Sequence, residues 1–559
     1  MPPDPKSEFD VIVLGAGAGG LAAACVAAAQ GLDTLLVEKS DFVGGTTAVS
    51  GGMVWIPANA KMRAAGIDDS VERARAYLDH VAPAQRDAAV REAFLACADE
   101  ALAYLEAHTA LRLRPVTGYP DYYPDAPGAT TGGRVLEPLE FDGTALGRDL
   151  ARLRWPLPEF MLFGGMMIAR PDLPHFRNVY RSPRSALRVA RLVLEYAGER
   201  LLAPRGTRLV LGNALVARLF KTALERRIAL RFGARATRIV IEDGRAAGVE
   251  LAGGERLRAR AGVVLATGGF SHDAALRSEL LPPGVSAASP VCATNTGDGL
   301  RAGLEAGGVM GMHNSHNAFW APVSRFRRAD GTEGVFPHTV ADRGKPGIIA
   351  LAANGERFTS EAVSYHEFVL AMFRRDAVPA YLLCDRRSLW QYGLGAVKPF
   401  TVARAPYTAS GYLVEARSLD ALARRLEIDA AALARTVARY NADARSGVDS
   451  AFGLGSDPYQ RYLGDRDHAP NPCMRPIETP PYYAIRVYPS DLGTIAGLMT
   501  DAEARVLDAG ERPIPGLYAC GNDMNSIMDG AYPGPGITLG PALVFGTLAA
   551  RAIAREAGR

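Results

Sequence analysis

Three glycines at fixed spacing constrain this chain more than anything else in it. A short strand-type run, Asp10-Val-Ile-Val-Leu14, breaks at Gly15-x-Gly17-x-x-Gly20 and continues into an Ala-rich helical stretch, Leu21 to Gln30. The first glycine makes a tight turn, the second lets a pyrophosphate approach the backbone, and the third lets helix and strand pack closely. The helix then offers unpaired N–H groups and its positive dipole end to the phosphates. A second strand, Thr34 to Val37, ends in Glu38, 18 residues past Gly20. A carboxylate there is placed to accept from ribose hydroxyls. The pattern predicts a dinucleotide-binding α/β unit and, taken alone, suits NAD as well as FAD.

The same region could mislead a hydropathy scan. Val11 to Ala29 runs 19 residues without a charge, long enough to read as a membrane span. Gly15, Gly17, Gly19 and Gly20 within it predict strand, turn and helix instead. The first ten residues are polar and Pro-rich, without the basic start and apolar core of a signal peptide. A length of 559 residues exceeds what one core usually absorbs, so two domains are expected. A formal charge of +3 without a long Lys/Arg run gives no reason to expect nucleic acid. Six cysteines without C-x-x-C and nine histidines without ligand spacing predict a reduced, cytoplasmic chain with no metal.

Three later segments decide between the dinucleotides. Glu38-Lys39 leads into Gly44-Gly45-Thr46-Thr47 and Ser50-Gly51-Gly52, a second stretch of backbone able to line a flat ring system. Val263-Val-Leu-Ala266-Thr267-Gly268-Gly-Phe270 is a strand ending in a Gly pair, and Gly516-Leu-Tyr-Ala-Cys-Gly521-Asn522 a strand ending in a polar turn. In this order they resemble the flavin-binding motifs of the large FAD-dependent family that includes fumarate reductases and 3-ketosteroid dehydrogenases.

That resemblance implies non-covalent FAD. Its glycine-rich turn would be Gly15, Gly17, Gly19 and Gly20, with Glu38 and Lys39 behind it. Gly45, Thr46, Thr47, Ser50, Gly51 and Gly52 would follow, then Ala266, Thr267, Gly268 and Asp298. The C-terminal contacts would be Gly521, Asn522, Gly536 and Leu539. The implied fold is α/β, a discontinuous Rossmann-type FAD-binding domain with an inserted α+β catalytic or cap domain. Residues 1–285 and 480–559 would form the first and 286–479 the second. A hairpin is expected over Ala236 to Leu251, turning at Asp243-Gly244. The likeness is weakest between Thr144 and Arg205.

The reaction is read from the tyrosines. Asn354-Gly355-Glu356-Arg357-Phe358, followed by Glu361, resembles a segment shared across the family. The fourth residue after that Glu, the proton-delivering arginine of fumarate-type reductases, is here Tyr365. A phenol in place of a guanidinium removes both the proton donor and a carboxylate clamp. Tyrosine there is similar to the 3-ketosteroid 1-dehydrogenases, and further matches support this. They are Asp121-Tyr122-Tyr123, Tyr482-Tyr483-Ala484, Ser490 to Thr494, and above all Tyr532-Pro-Gly-Pro-Gly536 with Ile537 to Ala542.

The resemblance implies that Tyr532 O–H and Gly536 N–H grip a ketone oxygen. Tyr365, as phenolate or nearly so, would take the α-proton with help from Tyr122 (or its neighbour Tyr123). Flavin N5 would accept the hydride. An unperturbed phenol titrates near pH 10, which is why a helper is needed. His366 is expected as a packing residue beside the base. The expected substrate is a small apolar ketone, a 3-ketosteroid desaturated at C1–C2, and the acceptor a quinone or dye-like molecule. Desaturation at the 4(5) position, another cyclic ketone, and ene reduction are the competing reactions; a non-catalytic FAD-binding protein is the competing class.

Two departures from the family stand out: Thr494-Ile-Ala-Gly497, where a Lys and a Gly pair are usual, and Asp529-Gly-Ala before Tyr532. Arg184 to Leu202 reads as a basic amphipathic helix. It either packs against the core with a solvated Arg face or lies on the inner membrane surface.

Overall fold

Strands covered on both faces need unbroken apolar runs, and Val11–Leu14, Leu35–Val37 and Val263–Leu265 are all almost fully buried. In the computed structural model, which describes residues 6–83, 88–340 and 342–559, they lie side by side in an eight-stranded sheet. The order is Ala229–Arg231, Thr34–Val37, Glu8–Leu14, Arg256–Leu265, Arg245–Leu251, Ala236–Glu242. Pro513–Ala519 also pairs with Arg256–Leu265, and Arg505–Leu507 pairs with Pro513–Ala519. Residues 1–5, half of the stretch that argued against a signal peptide, lie outside the described residues.

Register brings the strand ends together. Leu14 sits opposite Val37 and Leu265, and Leu265 opposite Ala519, all in parallel pairs. Four strands therefore stop at one edge, and the segments that leave them are those beginning at Gly15, Glu38, Ala266 and Cys520. Ligands of open α/β sheets bind in this crevice beyond the carboxyl ends. The last helix, Leu539–Glu556, lies on the first, Ala18–Ala29, so closely that a Cβ on Gly546 would fall 2.5 Å from Gly19 O. The hairpin turns as expected, with Asp243 at φ +49° and Gly244 at φ +74°. Two left-handed residues match the twist of the strands they join.

A second, wholly antiparallel sheet runs Glu333–Pro337, Ala318–Arg327, Tyr482–Thr494, Ala380–Asp385, Ile348–Leu351, with Val414–Ala416 beside Tyr482–Thr494. The 13-residue Tyr482–Thr494 strand is its centre. We propose that the chain returns to the first domain after this strand, near residue 495 rather than 480. The 3-10 and short-strand elements over 143–177 and the helix Pro183–Leu202 form a separate segment. Among the described residues no helix is long and apolar enough to cross a membrane, and no His, Cys, Asp and Glu cluster could hold a metal.

Candidate active site

The strand-end crevice has the shape a dinucleotide needs. Gly15 takes φ +101°, and a Cβ there would lie 2.3 Å from Ala266 O; at Gly20 it would lie 1.9 Å from Gly15 O. These two are required by packing. Gly17 and Gly45 are different, since a Cβ would meet only Thr47 Oγ1 at 3.8 Å in the first case and nothing within 4 Å in the second. Gly17 leaves the backbone open at the head of the 12-residue helix Ala18–Ala29, and Gly45 does so at the start of the short helix Gly45–Val49. Open backbone N–H groups at a helix start are what a pyrophosphate uses, so these residues fit FAD.

The polar residues around the crevice hold one another in place. Glu38 accepts from Ala16 N–H at 3.0 Å and Ser40 N–H at 2.9 Å, which orients its carboxylate and leaves lone pairs for a ribose. Thr47 Oγ1 accepts from Ala18 N–H at 3.1 Å, and Thr46 Oγ1 from Cys292 N–H and Asn295 Nδ2, both at 3.2 Å. Ser50 Oγ donates to Thr47 O and accepts from Gly52 N–H. A Cβ on Gly51 would meet only Met53 at 3.9 Å, whereas Gly52, at φ +67°, lies against the backbone of Gly212. Lys39 is bound to Asp298 at 2.8 Å and to Thr296. Burial works to raise the Asp298 carboxyl, but Lys39 and Arg235 hold it below its ordinary range.

Asp523 is a residue that the motifs did not single out. Fully buried, it accepts from Thr267 N–H, from Thr267 Oγ1 at 3.0 Å and from Gly269 N–H at 3.0 Å. It thereby ties the Ala266-Thr267-Gly268 turn to the Gly521-Asn522 turn. The signal was present, one residue beyond Cys520-Gly-Asn522. Thr494, one of the two departures, lies against the same turn: a Cβ on Gly269 would fall 2.0 Å from its Oγ1.

Beside this crevice the tyrosines converge. Tyr365 opens the helix Tyr365–Arg374, whose cap, Ser364, accepts from Glu367 N–H. The expected Glu361 is spent on scaffolding, bridged to Arg357, which also binds Asp449. Ring centroids lie 5.0 Å apart for Tyr365 and Tyr532, 5.6 Å for Tyr122 and Tyr365, and 5.6 Å for Tyr122 and Tyr532. Of the adjacent pair, Tyr122 faces this group, whereas Tyr123 donates its hydroxyl to Glu367 at 2.8 Å. Tyr119 and Tyr459 extend the cluster, and Phe319 lies edge-on to Tyr532 at 5.4 Å. No motif marked those three.

The loop after Tyr532 is fixed from its partners' side. Pro533 O accepts from Tyr122 N–H at 3.0 Å and Tyr77 Oη at 2.5 Å. Asp121 underpins this by accepting from Trp55 Nε1 at 3.0 Å and Arg134 at 2.9 Å. Gly536 adopts φ +96°, and a Cβ would lie 2.7 Å from Met53 O. Its carbonyl accepts from Trp55 N–H and Gly540 N–H, while its own N–H has no backbone acceptor among the described residues. The final helix begins three residues later, at Leu539.

Burial sets the protonation states. The Tyr365 phenol is pushed well above 10 by desolvation and by Tyr532. Tyr122 Oη has no hydrogen-bond partner among the described residues, and burial raises it as well. Tyr532 is pushed up to about 12 by burial. The expected resting phenolate at Tyr365 is therefore replaced by a neutral phenol, because a dry site penalises the charged form. His366 is neutral too, pushed down to about 3 by burial and then by His316. Its Nδ1 accepts from Trp320 N–H at 3.2 Å. The unusual Asp529 is not an open acid near the site: it is buried against Arg91 at 2.7 Å.

A crevice at four strand ends that fits a dinucleotide, together with a dry phenol cluster, suits an FAD-dependent oxidoreductase. The family profile described as FAD binding domain matches residues 10–539. The chain is 38% identical over 560 residues to 4-oxocyclohex-2-ene-1-carboxylate 5-dehydrogenase of Sinomonas cyclohexanicum, covering 98% of this chain and 94% of that one. It is 36% identical over 574 residues to 3-oxosteroid 1-dehydrogenase of Mycobacterium tuberculosis H37Rv, covering 99% of each. The crystal structure of 3-ketosteroid delta1-dehydrogenase from Sterolibacterium denitrificans, in complex with 1,4-androstadiene-3,17-dione, superposes with a TM-score of 0.90 at 36% identity, covering 98% of this chain and all of that one. This chain belongs to the FAD-binding family that contains these dehydrogenases.

Proposed function

We propose that the protein desaturates a 3-ketosteroid between C1 and C2. The observation that carries this reading is the buried Tyr122–Tyr365–Tyr532 cluster beside the unspent Gly536 N–H. Tyr532, held protonated, and Gly536 donate to the C3 carbonyl oxygen and stabilise the enolate that forms as C2 loses its proton. Tyr365 takes that proton, with Tyr122 the neighbour that eases its ionisation. FAD held by the crevice residues would supply the acceptor for the hydride that leaves C1. A cradle made largely of backbone supports non-covalent attachment; acid precipitation should then release all the yellow colour into the supernatant. The electron acceptor that reoxidises FAD would be a quinone or dye-like molecule.

Two buried arginines of this region are already committed. Arg343 donates to the carbonyls of His338, Thr339, Glu361 and Val363, and Arg91 to Ile527 O and Asp529. A ring carboxylate would lose its water here without a fresh cationic partner, which favours an uncharged ketone over a cyclohexanone acid. Anaerobic addition of a 3-ketosteroid should bleach the flavin band and yield the 1-ene product. No bleaching, or a higher kcat/KM for 4-oxocyclohexanecarboxylate, would overturn the assignment.

The helix Pro183–Leu202 supports a membrane contact. It buries Leu192 against Met166 and Tyr196 but leaves Leu187, Leu194 and Leu201 at 73%, 72% and 86% exposure. Spaced by seven, these three form one stripe; Arg184 flanks it, as does Arg191, itself paired to Glu195 at 2.7 Å, and the apolar stripe suits a bilayer that dissolves the substrate. Sedimentation with anionic vesicles at low salt should retain the protein, and a Leu187→Ser/Leu194→Ser variant should stay in solution. Equal partitioning of both forms would remove this contact.

A further inference from the structure

Tyr483, part of a motif that the reaction does not use, lines a cavity of about 430 Å³ in the second domain. It lies at the end of the Tyr482–Thr494 strand opposite Thr494, about 35 Å along the strand at 3.3 Å per residue. The cavity is thus separate from the flavin crevice. Four cations line it, Arg386, Arg387, Lys398 and Arg404, and no acidic residue does. None of the four forms an ion pair among the described residues; Lys398 Nζ donates to Met161 O and Arg404 to Thr401 O, carbonyls that leave both charges uncompensated. Glu159, which acts on Lys398, is bound to Arg328 at 2.7 Å. Asp385, beside Arg386, is spent on three backbone N–H groups.

Two buried polar atoms at this cavity lack partners: the Tyr483 hydroxyl, on a side chain with 0% exposure, and Arg404 Nε. The Arg404 guanidinium lies 5.9 Å from the Tyr483 ring. A buried hydroxyl without a partner is costly, and four unpaired cations around one hollow repel one another. An anion would relieve both. The rest of the lining includes Leu389, Trp390 and Val397, which suits an apolar chain better than a free ion. Trp390 stacks edge-on to Phe400, and Phe400 to the exposed Tyr180, so an apolar path leads outward beside the 143–202 segment.

We propose that this cavity binds an amphiphilic phosphate, its head on Arg386, Arg387, Lys398 and Arg404 with Tyr483 donating, and its tail along Leu389, Trp390 and Val397. The chemistry is that of a phosphate monoester on an alkyl chain, whether a membrane lipid or a soluble ester supplies it.

Calorimetric titration of the holoenzyme with octyl phosphate, below its micelle concentration, should give a Kd at least tenfold below that for inorganic phosphate. An Arg386→Gln/Arg404→Gln variant should lose octyl phosphate binding at least tenfold. Tyr483→Phe should lose about threefold, and kcat on a ketosteroid should be unchanged in both. Phosphatidylcholine vesicles with and without phosphatidic acid separate the sources. Retention of the parent but not the double variant on phosphatidic acid identifies a lipid; octyl phosphate binding without vesicle retention identifies a soluble ester. If the parent and the double variant, both folded by circular dichroism, bind octyl phosphate and phosphatidic acid equally, the proposal fails.

Discussion

At the scale of single residues, the site poses a problem of protonation. A base must be ionised to act, yet burial holds the Tyr365 phenol well above 10. Its ionised fraction then grows tenfold per pH unit across the neutral and alkaline range. The expected outcome is that kcat/KM climbs with pH through 9 without levelling; a plateau below pH 8 would assign the proton to another base. Tyr365→Phe should lower kcat by about 100-fold or more, the usual worth of a positioned base, while a ketosteroid still binds. Tyr532→Phe removes one donor to the ketone oxygen and should cost about 100-fold in kcat. His366 gives a stability test whose sign is fixed. Its folded value, about 3, lies below the ordinary 6.5, so the unfolded chain binds the extra proton as pH falls below that value. Stability should drop by about 1.4 kcal/mol per pH unit from this group alone. His366→Phe should therefore shrink the fall in urea midpoint between pH 7 and pH 5. Tyr365 and Tyr532 stood out because they sit in dense motifs, and the structure brings their rings to 5.0 Å. Tyr119, Tyr459 and Phe319 were not, since an aromatic residue in an ordinary segment carries no mark of the surface it meets.

At the scale of elements, the local readings held where the reason for them was local. The Thr34–Val37 strand, the Asp243-Gly244 turn and the Pro183–Leu202 helix follow from runs, turn chemistry and periodicity within a few residues of each. The Tyr482–Thr494 strand shows the opposite case. Nothing inside a strand states which sheet it joins; its partners, Ala318–Arg327 and Ala380–Asp385, are more than ninety residues away. Order of motifs along the chain put it with the FAD domain, and pairing puts it at the centre of the other sheet. Asp523 escaped for a related reason, because its worth lies in joining two strand ends that are remote in sequence. Asp523→Ala would leave Thr267 N–H and Gly269 N–H buried without acceptors. Each such loss costs about 1–3 kcal/mol, so the urea midpoint should fall and FAD should dissociate more readily, read as released flavin fluorescence. A variant that kept both at the parent's values would show that the turn needs no such clasp.

At the scale of the whole molecule, the proposed FAD site draws on nearly the full length of the chain. Its proposed contacts run from Gly15 to Gly52, from Ala266 to Gly268, through Asp298 and from Gly521 to Leu539. The Tyr482–Thr494 strand brings the second sheet to the same place, where Gly493 and Thr494 meet Asn522 and Gly269. A ligand held only by such an assembly binds the folded chain and not the unfolded one, so its affinity adds to stability. At free FAD a thousandfold above Kd the gain is about 4 kcal/mol. Stripping FAD should therefore lower Tm by several degrees, and adding FAD back should restore it in proportion to the logarithm of its concentration. The tyrosine cluster should respond as well, because Tyr532 and Gly536 lie on the loop leading into the Leu539–Glu556 helix while Tyr365 heads a helix packed on the Ala318–Arg327 strand of the second sheet. Ketosteroid affinity of the apoprotein should thus fall along with its stability. Coincident melting of apo- and holoprotein would mean that the crevice is preformed and rigid without its ligand, and that the two sheets are held together by their own contacts alone.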